Sequence, residues 1–385
     1  MDLHGKLLAE GLAKRGHSIS VISTKHPAGI GYEKRNGIEI HYLKDTVFGS
    51  RRRGWKKESI NKFKILHSKS PFALACSQSF AAYGFCSSRN MSPIPILLIL
   101  HGCIEQELKT FLVSVLRDPV RPQRVVKKFG GLIFSYFIEQ RPLLTHSQRI
   151  ITVSNQVTGH IKKWYGRTIA EKCTTIPNGI NTEKFSPSQE HRCEIRAKYG
   201  INDSEILLLT LGRITKEKGH HIAIQALRSL KKKGQKAKLM VAGDGNYLSD
   251  LKGLAINSGT RNDVLFVGFI ENHDTPKYYN ACDIFLMPTL TEEGLPFVLL
   301  EAMACGLPVI SSRIGGIITI IKHQKNGILI EPGNSTQMAH AIWELMNKPA
   351  FSGRLGAAAL QTIRRNFSAD RMVDRTVGVM MSMIK

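Results

Sequence analysis

Two carboxylates, Glu293 and Glu301, lie eight positions apart around the predicted start of a short helix. The apolar run 283–287 precedes them and predicts a buried strand. Pro296 suits the first turn of a helix, where a missing N–H costs little, and the helix is predicted over 297–305. Free backbone N–H groups at such a helix start favour an anion. The segment therefore predicts a site for a ligand that carries both phosphate and hydroxyl groups.

Two basic residues are placed to hold such a phosphate. Arg213 and Lys218 follow the apolar run 206–212 in the pattern Gly-Arg-x4-Lys-Gly. A guanidinium can grip phosphate oxygens with two parallel hydrogen bonds, and an ammonium adds a mobile point charge.

Apolar runs alternate with amphipathic segments along the second half, which indicates a parallel sheet covered on both faces. Ligands of such sheets bind at the carboxyl ends of the strands. Arg213, Gly243, Phe269 and Glu293 each follow a predicted strand end, so one crevice is expected to hold all four. Strands are predicted over 206–212, 238–242, 264–268, 283–287, 308–311 and 327–330, and helices over 220–233, 247–258, 276–281 and 297–305.

The first half has the same pattern in a less regular form. A helix is predicted over 6–15, and strands over 18–23, 38–43, 72–76, 96–100, 149–153 and 173–176. A domain boundary is predicted at about 178–190, where Pro and Gly punctuate the chain. The chain is therefore predicted to be α/β throughout, with two domains that are each large enough to bury a core.

Five motifs in matching order and spacing resemble the retaining GT-B glycosyltransferases of group 1, family 4. Residues 293–308 contain Glu-x7-Glu and Glu-Ala-Met-Ala-Cys-Gly-x-Pro, and residues 211–219 resemble the family's diphosphate-binding turn. The others lie at 176–187, 241–245 and 267–269. The resemblance implies two Rossmann-like domains with parallel sheets facing across a cleft. The implied parts are an acceptor-side domain at 1–180, a nucleotide-sugar-binding domain at 181–365, and a helix at 366–385 that crosses back to the first domain.

The resemblance also implies a role for each candidate residue. Glu293 and His101 are the implied catalytic residues, in contact with the transferred sugar. Arg213 and Lys218 are implied to bind the donor diphosphate, and Glu301 the ribose hydroxyls. Further donor contacts are implied for Gly294, Leu295, Pro296, Phe297, Val298 and Phe269. Because the two cations can neutralise the diphosphate, and no Asp-x-Asp motif occurs in the sequence, no metal or other cofactor is expected.

The implied reaction transfers a sugar from an NDP-sugar to an acceptor hydroxyl with retention of anomeric configuration, in cell-surface polysaccharide or glycolipid synthesis. Two alternatives stay open: a sugar-nucleotide epimerase of the same fold, and an inactive homologue that acts as a binding protein. The Glu-x7-Glu pattern argues against the epimerase.

The chain is strongly basic, with 54 Lys and Arg against 30 Asp and Glu and a formal net charge of +24. Residues 1–185 hold 29 of the basic and 12 of the acidic residues, a net of +17. This excess favours an anionic or lipid-linked acceptor at an anionic membrane surface, and a solvated surface without a partner is the alternative. The basic and apolar stretches 51–57 and 117–136 are the candidate lipid contacts. No nucleic-acid-binding motif occurs, so no nucleic-acid partner is expected.

The seven cysteines include no Cys-x-x-Cys pair, which predicts neither disulfides nor a zinc site. Together with the lack of an apolar run near the roughly 20 residues of a membrane span, this favours a cytoplasmic protein, peripheral on the inner face of the membrane.

The start of the chain departs from the family pattern. In the family, the helix that matches 6–15 follows a first strand and a Gly-rich loop, and here the sequence begins almost at that helix. The resemblance therefore implies a first sheet without its central strand and with exposed edges, from either an upstream start or a shortened chain. Two smaller departures are Gly315-Gly316 followed by Ile317 rather than Pro-Glu, and Asn181 where Asp is common.

Overall fold

The computed structural model describes residues 3–50, 54–87, 94–105, 108 and 122–384. The chain divides into two compact units, Met1–Gly179 together with Ala369–Lys385, and Ile180–Ser368. Both are α/β, as predicted. Within the described ranges, none of the helices has both the length and the apolar character to span a bilayer. Parts of the two candidate lipid-contact stretches, residues 51–53 and 117–121, lie outside the described residues.

The strands described in the first unit fall into two sheets. Their bounds are β1 Ile19–Ser23, β2 Tyr32–Arg35, β3 Ile38–Tyr42, β4 Ala75–Gln78, β5 Ile96–Leu100, β6 Arg149–Thr152 and β7 Cys173–Thr175. In the first sheet β3 lies between parallel β1 and antiparallel β2, and the second sheet has the parallel order β4-β5-β6-β7. Among the described strands no pairing joins the two sheets.

One helix packs under both of these sheets. Leu8 of the helix Leu3–Lys14 shares an apolar cluster with Leu97 of β5, and Ala9 shares another with Ile38 of β3. The other described helical segments of the unit are Trp55–Lys69, a 3₁₀ segment Ser79–Ser87, Pro122–Phe134, a π-helical segment Ser135–Gln140, Arg141–His146, Asn155–Tyr165, Arg167–Ala170 and Ala369–Ile384.

The strand predicted over 72–76 begins later than the sequence indicates. The observed β4 starts at Ala75. The backbone N–H of Phe72 donates to His67 Nδ1 at 2.9 Å, so the chain at Phe72 still closes the end of the preceding helix. The apolar residues just before Ala75 were therefore predicted as strand although they belong to the turn that ends the helix.

The second unit contains one six-stranded sheet in which every strand is parallel to its neighbours, in the order β10-β9-β8-β11-β12-β13. The bounds are β8 Leu207–Leu211, β9 Lys238–Ala242, β10 Val264–Gly268, β11 Ile284–Met287, β12 Val309–Ser312 and β13 Ile328–Ile330. Each strand predicted for this half is present. The helices are Gln189–Lys198, His220–Lys232, Leu248–Asn257, Thr275–Ala281, Phe297–Ala304, Ile317–Ile320, Ser335–Asn347 and Pro349–Asn366.

The core of the second unit explains why its strands are continuous apolar runs. Leu208, Val241 and Leu286, from three neighbouring strands, join one cluster with Ile224 and Leu227 of the helix that follows β8. A parallel sheet is covered by helices on both faces, so its strands have no polar side.

The strand order of this sheet reverses between β8 and β11. From β8 the chain proceeds outward through β9 and β10, and β11 starts the other side with β12 and β13. Open α/β sheets bind ligands at the carboxyl end of such a switch point. A ligand-binding site is therefore expected at the connections 212–219 and 288–296, which leave β8 and β11.

Candidate functional site at the carboxyl edge of the second unit

The connections that leave β8 and β11 are bonded to each other through their backbones. The N–H of Leu290 donates to the carbonyl of Glu217 at 2.8 Å, and the Thr289 hydroxyl lies 3.4 Å from the same oxygen. Two loops from neighbouring strands thus form one continuous surface.

On this surface Lys218 and Glu293 form an ion pair. Lys218 Nζ lies 2.5 Å from Glu293 Oε1, and the Thr289 hydroxyl donates to the same oxygen at 3.2 Å. The Lys218 side chain is 27% exposed and the Glu293 side chain 18%. Arg213, also predicted to bind phosphate, follows β8 and is exposed. The structure therefore brings Lys218 and Glu293 together, 75 residues apart in the sequence.

Glycines allow the loops to approach this closely. Gly219 has a φ of 73°, and a Cβ there would lie 1.9 Å from the carbonyl oxygen of Pro288. A Cβ at Gly316 would lie 1.6 Å from the carbonyl oxygen of Gly294, while the Gly316 N–H donates to the Glu293 carbonyl at 2.7 Å. The loop that carries Glu293 is therefore fixed from both sides by backbone that admits no side chain.

Glu301 lies in the helix Phe297–Ala304 and is 3% exposed. The hydroxyl of buried Tyr279 donates to Glu301 Oε2 at 2.8 Å. Burial raises the pKa of Glu301 to about 7, while the Tyr279 hydrogen bond and the charge of Lys184 act in the opposite direction. Burial and the neighbouring Glu301 carboxylate hold the pKa of Tyr279 well above its ordinary value, so this phenol stays a donor. Glu301 is therefore a fixed carboxyl group that changes charge near neutral pH.

Five of the other predicted donor contacts, residues 294–298, lie at the start of the Glu301 helix. Pro296 directly precedes the helix with an extended ψ of 128°. Leu295 is buried, whereas Gly294, Phe297 and Val298 are partly exposed. The sixth, Phe269, follows β10 and is 71% exposed.

His101 belongs to the first unit and directly follows β5. Its Nε2 lies 3.3 Å from Gln78 Oε1 at the end of β4, and its ring packs edge-on against that of His4 at 4.7 Å between centroids. His101 is partly exposed. Gln78 and His4 are neighbours that the sequence did not single out.

Across the described ranges, no group of three or more His, Cys, Asp or Glu side chains is arranged to hold a metal ion. Two buried residues that the sequence missed, Tyr279 and His220, contact the predicted site residues. Neither shows a sequence signal of its own, because a Tyr or His beside an apolar run is ordinary core.

Comparison with known proteins identifies the family. Residues 4–184 match the family described as Glycosyltransferase Family 4, and residues 191–362 match the family described as Glycosyl transferases group 1. The chain belongs to this glycosyltransferase family. An uncharacterized glycosyltransferase of Methanocaldococcus jannaschii is 27% identical over 398 residues, with 98% of this chain and 93% of that protein covered.

One further relative and one solved structure extend the comparison of this glycosyltransferase. The alpha-monoglucosyldiacylglycerol synthase of Streptococcus pneumoniae is 28% identical over an alignment of 395 positions, with 95% of this chain and 83% of that protein covered. The crystal structure of Anabaena HepE in complex with UDP and glucose is 19% identical, with a TM-score of 0.77 over 99% of this chain and 96% of that one. This likeness shows that the glycosyltransferase has the GT-B fold.

Proposed function

We propose that this glycosyltransferase moves a sugar from an NDP-sugar to a hydroxyl of a carbohydrate or lipid-linked acceptor with retention of anomeric configuration, in glycolipid or cell-surface polysaccharide synthesis. The meeting of Lys218 and Glu293 at the switch point of the sheet carries the proposal. It puts a cation suited to phosphate beside a carboxylate suited to a sugar. The UDP and glucose bound to HepE and the glycolipid in the name of the streptococcal synthase support the two substrate classes.

The proposed reaction uses the two cations on the leaving group. Arg213 and Lys218 stabilise the charge that develops on the diphosphate as its bond to the anomeric carbon breaks. The acceptor oxygen forms the new bond on the same face of the sugar, and its proton passes to the leaving phosphate. Glu293 stabilises the positive charge that develops at the anomeric carbon. No metal is required in this scheme, because protein cations neutralise the diphosphate.

The remaining residues hold the donor in place. Glu301 accepts hydrogen bonds from the ribose hydroxyls, Phe269 contacts the nucleotide, and the segment 294–298 turns backbone N–H groups toward phosphate or sugar oxygens. His101 bonds a hydroxyl of the transferred sugar.

Thermal unfolding against UDP-, GDP- and ADP-sugars tests the donor site. A ligand that binds only the native state stabilises it by about 2.7 kcal/mol at a hundredfold excess over its Kd. One nucleotide should raise the unfolding temperature of the wild type, and the rise should be much smaller in Arg213→Ala or Glu301→Ala. Arg228→Ala, at an exposed position on the helix His220–Lys232, is the matched control and should respond like the wild type. A stable fold that responds to no nucleotide sugar would overturn the proposal.

The product distinguishes the reaction from its alternatives. Proton NMR of the glycoside should show the anomeric configuration of the donor, with an unchanged rate in EDTA. An inverted product would refute retention, loss of activity in EDTA would refute metal independence, and an epimerised NDP-sugar would establish the isomerase instead.

We also place the first unit at the cytoplasmic face of an anionic membrane. The helix Pro122–Phe134 and the segment after it expose the apolar side chains of Val126, Phe134 and Phe137, the first of them 72% exposed. The net charge of +17 in residues 1–185 complements anionic lipid. Apolar side chains that enter the interface and basic residues that meet head groups reinforce each other in such binding.

Sedimentation with lipid vesicles tests this placement. The wild type should bind vesicles that contain phosphatidylglycerol, bind pure phosphatidylcholine weakly, and dissociate in high salt. The double variant Phe134→Ser, Phe137→Ser should lose most of the binding. Ile65→Ser, which removes an exposed apolar side chain from the helix Trp55–Lys69, is the matched control. Equal binding by both variants would refute this surface.

A further inference from the structure

A buried histidine connects the strand β8 to the backbone of Arg213. His220 is the first residue of the helix His220–Lys232 and is 2% exposed. Its Nε2 lies 3.2 Å from the carbonyl oxygen of Arg213, and its Nδ1 lies 3.0 Å from the hydroxyl oxygen of Thr210. Thr210 is itself buried within β8. The imidazole therefore joins three consecutive parts of the chain: the strand, the loop and the helix.

These contacts determine which ring nitrogen carries the proton. A carbonyl oxygen can only accept, so Nε2 is the donor to Arg213, and Nδ1 accepts the Thr210 hydroxyl proton. The pKa of His220 is lowered to about 4, chiefly by burial; the bond to Arg213 acts in the opposite direction, and the nearby charges of Lys218 and His221 add to the lowering. His220 is consequently neutral at ordinary pH and contributes a directed donor rather than a charge.

The loop that receives this bond carries the exposed guanidinium of Arg213. The Arg213 carbonyl also accepts the N–H of Thr215 at 3.0 Å, and the N–H of Ile214 donates to the Asp244 carbonyl at 2.8 Å. These bonds hold the peptide group that follows the Arg213 side chain, and His220 is the contact that reaches this group from the helix. Loss of that contact removes one of the bonds that orient the carbonyl, so we expect a shift at the start of the Arg213 side chain.

We propose that His220 is a positioning residue for the binding of the donor diphosphate. His220 holds the Arg213 carbonyl so that the Arg213 guanidinium faces the phosphates, and His220 does not itself touch the donor. This inference rests on the proposed function, since it needs a diphosphate at Arg213. It assigns His220 an effect on donor affinity that passes entirely through Arg213.

Two near-isosteric variants separate the two bonds of the ring. In His220→Gln the side-chain amide nitrogen reaches the position of Nε2 and can still donate to Arg213, whereas in His220→Asn the shorter amide reaches only the position of Nδ1 beside Thr210. The probe is whichever of UDP, GDP and ADP stabilises the wild type most, measured by calorimetric titration. We expect His220→Gln to keep the wild-type Kd within about twofold and His220→Asn to weaken binding by about five- to tenfold, the loss that one hydrogen bond supports.

The same substitutions in an Arg213→Ala background test the route of the effect. His220→Asn should then change the Kd less than about twofold, because the residue it positions is gone. In turnover assays of the enzyme that keeps Arg213, His220→Asn should raise the donor KM more than it lowers kcat. Thr210→Val, which removes the other partner but keeps the Nε2 donor, should lower the unfolding temperature and leave the Kd unchanged, and it serves if His220→Asn does not fold.

The outcomes are distinct. Equal weakening by Gln and Asn, or a loss of affinity that persists in the Arg213→Ala background, would overturn the positioning role while the donor site stands. A weakened Kd in Thr210→Val would overturn it as well. A wild type that binds none of the three nucleotides would instead overturn the proposed function, and this inference with it.

Discussion

Ionisation of Glu301 should destabilise the fold that holds it. The pKa of this buried carboxyl is raised from 4.5 to about 7, chiefly by desolvation. Between those two values the folded state binds a proton that the unfolded state has lost, so the free energy of unfolding falls as the pH rises. At 1.36 kcal/mol per pH unit the loss is about 3 kcal/mol, absent below pH 4.5 and complete above pH 7.

The variant Glu301→Gln removes this dependence with little change of shape. Its amide oxygen can still accept the Tyr279 hydroxyl, and at pH 5 it resembles the protonated wild type. Thermal unfolding should therefore show that the difference in unfolding free energy between the variant and the wild type grows by about 3 kcal/mol in favour of the variant from pH 5 to pH 8.5. That corresponds to roughly 6–12 °C for a unit of this size.

A control at an exposed position isolates the effect of burial. Glu271→Gln changes an exposed carboxylate in the same unit and should follow the wild type at both pH values. If the gap between Glu301→Gln and the wild type is the same at pH 5 and pH 8.5, Glu301 does not titrate in this window and the reasoning is refuted. Under the proposed function the stabilised variant should also lose donor affinity at pH 8.5, which would make Glu301 a residue kept at a cost in stability.

Four further substitutions test how the second unit is held together and what Lys218 contributes to turnover. Arg196→Met removes a fully buried guanidinium that donates to several carbonyls and pairs with a carboxylate, and urea unfolding should show a loss of about 3–5 kcal/mol. Lys218→Met should lower kcat by roughly 10²-fold in a transferase assay, yet change the unfolding free energy by about 1 kcal/mol or less, because its pair with Glu293 is partly exposed. Gly316→Ala should displace the Glu293 loop, abolish the nucleotide-induced rise in unfolding temperature and lower the free energy of unfolding by about 1–3 kcal/mol. Gly253→Ala, which has open space around it in the middle of a helix, should instead raise the free energy of unfolding by about 0.5–1 kcal/mol. The opposite order of stability for the two variants would contradict the packing argument.

The sheet of the second unit could be predicted from sequence because burial on both faces leaves a simple pattern. Each strand there is a short apolar run between polar segments, and all six were located. The first unit gave weaker signals where local bonding decides the structure. The hairpin of β2 and β3 was missed, although Asn36-Gly37, with φ of 51° and 78°, is the pair that such turns favour. Exposed Tyr32 and the charged residues that follow it concealed the strand.

The site divides in the same way. Glu293, Lys218 and Arg213 could be singled out because their residue types and spacing are unusual. Their contact could not, since it depends on β8 lying beside β11, and strand order is set by the whole sheet. Tyr279 and His220 were missed for a related reason: each becomes meaningful only through an acceptor that the fold brings to it.

At this edge of the sheet, the charged groups are supported by groups that are themselves neutral. Neutral, buried groups hold the ionisable ones: Tyr279 holds Glu301, and His220 holds the backbone of Arg213. A charged support at either place would carry a desolvation cost and would compete for the ligand. Lys218, by contrast, is bonded to Glu293 itself, and a diphosphate would offer it two charges where Glu293 offers one. Under the proposed function, donor binding draws Lys218 toward the diphosphate and leaves the Glu293 carboxylate facing the sugar.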